Sequence, residues 1–155
     1  MAISEKSLHM AESFLSRASH KIDEAEEHLK WMRYPESISS SQECIELSIK
    51  AMFLLLTADY PKRHIFKDEE FEALFEKVPK ELSYLEFPRL FLCSKFWSSL
   101  YEVAKYGDER LGVGPEKLFG KEEAELALTH AKKCWSATQT LLSYVKRKAK
   151  VPSTI

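Results

Sequence analysis

Glycine is scarce in this 155-residue sequence: four occur, at positions 107, 112, 114 and 120, and none comes before Gly107. A chain without glycine has few positions where left-handed backbone is free of strain. The first two thirds should therefore consist of long helices with compact links. The same scarcity excludes a phosphate-cradling loop of the G-x-x-x-x-G-K-[ST] type, because Gly112 and Gly114 have neither that spacing nor a preceding strand. Cysteine is also sparse. Cys44, Cys93 and Cys134 lie far apart and none belongs to a C-x-x-C pair, so a disulfide framework is not expected. Each reads as a small core or half-buried residue, and nothing singles one out as a nucleophile. Long apolar runs are missing too: the longest, 51–56, falls far short of the ~20 residues a membrane span needs. The N-terminal Met-Ala-Ile-Ser-Glu-Lys lacks the apolar stretch of a signal peptide. A cytoplasmic location without membrane contact is expected. Finally, no sign of charge dominates. Lysine and arginine number 23 against 24 acids, a formal net charge of −1, which argues against a basic coat for non-specific nucleic-acid binding.

What is present is helical periodicity. Over residues 4–32 the apolar positions are Leu8, Ala11, Leu15, Ala18, Ile22, Ala25, Leu29 and Met32. Their steps alternate three and four, which puts them on one stripe. Ser4 or Ser7 can cap the start. Pro35 suits the first turn of a second helix, whose buried face runs through Ile38, Ile45, Ile49, Met52 and Leu56, with Pro61 as its stop. Asp68 is the candidate cap of a short helix containing Phe71, Leu74 and Phe75, bounded by Pro79 and Pro88. A helix from Pro88 to about Lys105 should bury Leu92, Phe96, Leu100 and Val103, leaving Phe91 and Trp97 as surplus apolar surface for a dimer contact. After the glycine-rich stretch 106–120, the last helix, about 121–148, carries Ala124, Ala127, Ala131, Cys134, Thr138, Leu141 and Val145. The pattern predicts an all-α protein: an antiparallel up-and-down four-helix bundle with one additional short helix. It is read as a single domain over 1–150 with a frayed tail at 151–155.

Di-metal chemistry in a bundle needs inward-facing Glu-x-x-His pairs. The residues three before His9, His20, His28, His64 and His130 are Lys6, Arg17, Ala25, Pro61 and Ala127, so no metal site and no cofactor is expected. The second helix is more informative. Gln42, Glu46 and Lys50 are four apart and share a face, with glutamate before lysine, the favourable order for a helical ion pair. On spacing alone this stripe also fits a solvated surface.

Gln42-x-x-x-Glu46-x-x-x-Lys50-Ala51, followed by the apolar run to Leu56, resembles the second-helix signature of prokaryotic HEPN domains. Arg33-Tyr34-Pro35, Tyr60-Pro61-Lys62-Arg63-His64, Lys105-Tyr106-Gly107-Asp108 and Lys121-Glu122-Glu123-Ala124 follow that family's order, and the similarity covers roughly residues 5–145. The resemblance implies a helical bundle, a homodimer, and action with a small nucleotidyltransferase or a nucleotide, as in toxin–antitoxin pairs. Ribonucleases of the family carry an Arg-x-(four to six)-His motif. Here none of Arg17, Arg33, Arg63, Arg89, Arg110 and Arg147 has a histidine five to seven positions later. The expectation is therefore a non-catalytic binding module. The alternatives are a divergent metal-independent ribonuclease using Tyr106, Asp108 and Arg110, or a structural helical interaction protein. Candidate ligand or partner residues are Tyr106, Asp108, Arg110 and Lys117 in the loop, with Gln42, Glu46, Lys50 and His64, for a nucleotide or RNA. The basic run Lys146-Arg147-Lys148 with Lys150 fits helix-dipole compensation at a C-terminus better than a nucleic-acid contact.

Overall fold

The computed structural model describes residues 3–150, apart from the side chain of Lys150; the tail at 151–155 lies outside them. The described residues are all-helical, but with six α-helices rather than four plus one: α1 Glu5–Lys30, α2 Tyr34–Thr57, α3 Asp68–Glu76, α4 Phe87–Ser99, α5 Tyr101–Tyr106 and α6 Lys121–Lys150. Short 3-10 turns at Lys80–Leu85 and Pro115–Lys117 complete the chain, and among the described residues the β-structure is an isolated antiparallel bridge between Asp108 and Val113. None of these helices is long and apolar enough to cross a membrane.

The three long helices pack on one another through small side chains. Ala11, Ala18 and Ala25 of α1, Ser37, Ser41, Cys44, Ser48 and Ala51 of α2, and Ala124, Ala127, Ala131, Cys134 and Thr138 of α6 are all 0% exposed. Small contact residues let helix axes approach to the lower end of the usual 8–10 Å. The seam is also stitched by hydrogen bonds. Ser37 Oγ donates to the Ala25 carbonyl (2.8 Å), Trp135 Nε1 to Leu15 (2.9 Å) and Thr138 Oγ1 to Ser48 (3.4 Å). The three cysteines are free and buried. Burial pushes the Cys44 thiol up to about 12 and raises that of Cys134 as well, so both stay protonated at neutral pH.

Several boundaries differ from the sequence reading. Ser4 caps α1 as expected, accepting from the Ser7 N–H at 3.1 Å. The helix ends at Lys30, however, and Met32 turns left-handed (φ 58°) and is exposed. α3 is capped at Lys67 rather than Asp68. The Glu70 carboxylate accepts the Lys67 N–H at 2.7 Å, while Asp68 pairs with Lys95.

The largest correction concerns the helix expected from Pro88. It breaks at Leu100 into α4 and α5. Its buried face also lies one position away from the expected one. Phe87, Leu90, Phe91, Ser94 and Trp97 point inward, whereas Leu92 and Phe96 are 66% and 50% exposed. The larger aromatic area wins the phase: Phe91 stacks on Phe71 at 4.8 Å, and Trp97 is fully covered. Phe91 and Trp97 are therefore core residues of this chain, and the apolar surplus of α4 is Leu92 and Phe96.

The Trp97 indole N–H donates to His130 Nδ1 at 2.9 Å. Burial, then the charges of Lys133 and Arg89, hold His130 below its ordinary 6.5. A histidine whose folded value is depressed binds fewer protons folded than unfolded, so acid favours unfolding. Stability should fall as pH drops through about 6.5. A thermal-melt series from pH 7.5 to 5 should show a falling midpoint, and His130→Gln should flatten that slope.

Candidate functional site

The Gln42–Glu46–Lys50 stripe is the floor of a groove rather than a solvated surface. Two neighbouring cavities open along it and share Glu46, His64 and Tyr101 as a common wall. One, of about 460 Å³, lies toward α4 and α5 and is lined by Gln42, Ile45, Trp97 and the Ser98 and Ser99 hydroxyl-bearing residues. The other, of about 450 Å³, lies toward α1 and is lined by Phe14, Arg17, Lys21, Glu43, Lys50 and Tyr60. A larger cavity of about 660 Å³ sits beside the Lys80–Leu85 turn, but Phe75, Val78, Pro79 and Phe87 make its wall largely apolar, and it holds none of the candidate site residues.

Each stripe residue has a distinct role. Gln42 is buried, and its amide Nε2 donates to the Trp97 carbonyl. That carbonyl also accepts the Leu100 N–H at 3.1 Å instead of continuing an α-helical ladder. Gln42 thus holds the α4–α5 break in place, and the break carries Tyr101 over the groove. Glu46 takes two donors. Lys50 Nζ lies 2.8 Å from its Oε1, and His64 Nδ1 lies 2.9 and 3.1 Å from its two oxygens. The Nδ1 side of the ring is thereby committed to the carboxylate, and Nε2 is its second polar atom. Glu46 and Lys50 are only 16% and 14% exposed, whereas His64 is 68% exposed. One face of the His64 ring stacks on Tyr101, with centroids 5.3 Å apart.

His64 arrives on the connection 58–67, which is anchored at both sides. Phe66 is buried against Phe53 and Phe71, and Arg63 forms a two-pronged pair with Glu70 at 2.9 and 2.7 Å. The rim carries further cations. Lys105 donates to the Tyr101 hydroxyl at 2.6 Å, which raises its pKa, and lies over the Tyr101 ring at 4.3 Å. Lys21 bridges Glu43 and Glu24, each at 3.0 Å, and those hydrogen bonds raise it too. Both lysines stay charged at neutral pH.

The loop candidates are not brought to this groove. Asp108 accepts the N–H groups of Arg110 and Leu111 at 3.0 and 3.2 Å, closing its own turn. Tyr106, Arg110 and Lys117 are exposed, and no hydrogen bond or ion pair among the described residues joins them to Glu46, Lys50 or His64. Gly107 is structural: at φ 76° a Cβ would sit 2.2 Å from the Val113 carbonyl oxygen. Sequence reasoning missed Arg17, Lys21, Tyr60, Tyr101 and Lys105. The four-residue steps Arg17–Lys21 and Tyr101–Lys105 repeat the spacing that exposed the α2 stripe, so the same argument applied to α1 and α5 would have found them.

Replacing Glu46 should free the connection that His64 holds. Glu46→Ala should accelerate tryptic cleavage after Lys62 or Arg63 severalfold, with a global loss of only about 1–2 kcal/mol on denaturation. Unchanged cleavage kinetics would show that Phe66 and the Arg63–Glu70 pair anchor this segment without Glu46.

A HEPN domain model matches residues 11–141 of the chain. A protein of Methanocaldococcus jannaschii named as a "putative toxin" is 26% identical over 144 residues, covering 89% of this chain and 90% of that protein. The crystal structure of a protein from Thermus thermophilus is similar in fold, with a TM-score of 0.67 over 84% of this chain and 97% of its own, at 21% identity.

Proposed function

The chain belongs to the HEPN domain family, and on that footing we propose that it is a non-catalytic binding module that holds a nucleotide, or a nucleotide at the end of an RNA, in the groove over Glu46. The observation that carries this reading is the arrangement of groups along the α2 stripe. Three cations, set against Glu43 and Glu46, lie on the α1 side, hydroxyl-bearing and apolar residues with the single further carboxylate of Glu102 lie on the α4–α5 side, and an imidazole stands between them. Phosphate needs the first, ribose and base suit the second, and a planar ring offers a stacking surface. The free Nε2 of His64 gives that surface a hydrogen-bonding edge as well.

In this reading the protein acts as a homodimer with a small nucleotidyltransferase partner. The relative named as a toxin favours a toxin–antitoxin-like pair as the setting. The exposed pair Leu92 and Phe96 on α4 is then the surface best suited to the second copy, in place of Phe91 and Trp97. A divergent ribonuclease built on Tyr106, Asp108 and Arg110 gains less support, because the Asp108 carboxylate is committed to its own turn.

Calorimetric titration with adenine and guanine nucleotides tests the reading. Binding should be detected, and His64→Ala should weaken it by about tenfold, or ~1.4 kcal/mol, within the ~1–3 kcal/mol ascribed to one aromatic stacking contact. His64→Phe keeps the ring and gives up the Glu46 bond, so it should retain most of the affinity. Absence of heat with every nucleotide, together with failure to co-purify a nucleotidyltransferase, would count decisively against the proposal.

A further inference from the structure

The two halves of the groove differ in charge: the cavity beside α4 and α5 is lined by the carboxylates of Glu46 and Glu102 and by no lysine or arginine. The α1-side cavity is lined by three permanent cations, Arg17, Lys21 and Lys50, and by two carboxylates, Glu43 and Glu46. The lysines are already matched: Lys50 rests on Glu46 at 2.8 Å, and Lys21 lies 3.0 Å from Glu43. Arg17 forms no ion pair among the described residues. Its guanidinium stands 5.9 Å from the Phe14 ring centroid, beside the same cavity. The cavity therefore offers one uncompensated positive charge, carried by the side chain best shaped to grip a phosphate with two parallel N–H groups.

We propose that this cavity is a single-phosphate site: Arg17 takes the phosphate of a nucleoside monophosphate, or of a terminal phosphate monoester on RNA. The nucleoside then crosses His64 into the cavity beside α4 and α5. This rests on the nucleotide-binding reading and adds the place, the number and the anchor of the phosphate groups. The shared wall of Glu46, His64 and Tyr101 lets one molecule occupy both cavities at once. A longer phosphate chain meets the wrong charges. Its second and third groups have no free cation in this cavity to receive them, and Glu43 and Glu46 repel them at short range. Each added phosphate would have to pull Lys50 or Lys21 from a carboxylate partner, leaving that carboxylate beside a new anion.

The experiment is a calorimetric series with inorganic phosphate, nucleoside, monophosphate and triphosphate, run with both adenine and guanine compounds on the full chain. For whichever base binds, the monophosphate should bind at least about tenfold more tightly than the nucleoside, equivalent to ~1.4 kcal/mol. The triphosphate should bind no more tightly than the monophosphate. Arg17→Ala and Arg17→Gln should lower monophosphate affinity to that of the nucleoside and leave nucleoside affinity unchanged. Arg17 is exposed on α1, so both variants should melt as wild type does. Affinity that climbs with each phosphate overturns the single-phosphate site while leaving nucleotide binding intact. So does monophosphate binding that is indifferent to Arg17. Failure of nucleosides and nucleotides alike would overturn the reading beneath it.

Discussion

Small side chains along the contacts of α1, α2 and α6 are the constraint on which the rest of the molecule depends. Thirteen alanines, serines, cysteines and a threonine are 0% exposed there, and close packing leaves them nothing to gain from a larger neighbour. Inserting extra volume into such a seam typically costs ~1–3 kcal/mol. The arrangement surrounds α2 on two sides. Its remaining face cannot be covered by a third long helix, because the chain between α2 and α6 is spent on short elements. That face is where Gln42, Glu46 and Lys50 stand.

A polar stripe on the central helix would be costly if fully buried and ordinary if fully exposed. Here it is mostly covered, with Gln42 buried and Glu46 and Lys50 only slightly exposed, and each residue finds a partner under that cover. Gln42 gives its amide to a carbonyl freed by a helix break. Glu46 gathers an ammonium and an imidazole. The break at Leu100 and the anchored connection 58–67 are thus the two devices that bring Tyr101 and His64 together above α2. A groove with Gln42, Glu46 and Lys50 along its floor, a cationic rim and an aromatic wall follows from those devices.

Much of this was legible in the sequence. The three-and-four spacing of α1, α2 and α6 survives in the buried faces, and the missing glycines coincide with long helices as far as Thr57, but the equally glycine-free stretch 58–106 forms short elements. The α2 signature Gln42–Glu46–Lys50 picks out a helix face that lines two cavities. What sequence could not fix was the phase of α4. Its sequence Phe-Pro-Arg-Leu-Phe-Leu-Cys-Ser-Lys-Phe-Trp satisfies two registers a single position apart, and the choice depends on Phe71 and His130, which come from other elements. The break at Leu100 was equally hidden, because the Gln42 amide that bonds the Trp97 carbonyl there comes from 55 positions away. The loop residues Tyr106, Asp108, Arg110 and Lys117 looked chemical because they are polar and glycine-flanked. Asp108 proves to be a turn former.

Membership of the HEPN family places this groove on a scaffold shared with a protein named as a toxin, and the groove's own chemistry argues for a ligand that is anionic at one end and planar at the other. The site proposed for that ligand is the α2 face, not the glycine-rich loop. Amide and side-chain chemical shifts, followed by NMR as a nucleoside monophosphate is added, test it most directly. The resonances of Arg17, Lys50, His64 and Tyr101 should move together along one saturation curve while those of Arg110 and Lys117 stay still. Movement confined to the loop around Arg110, with His64 silent, would contradict it.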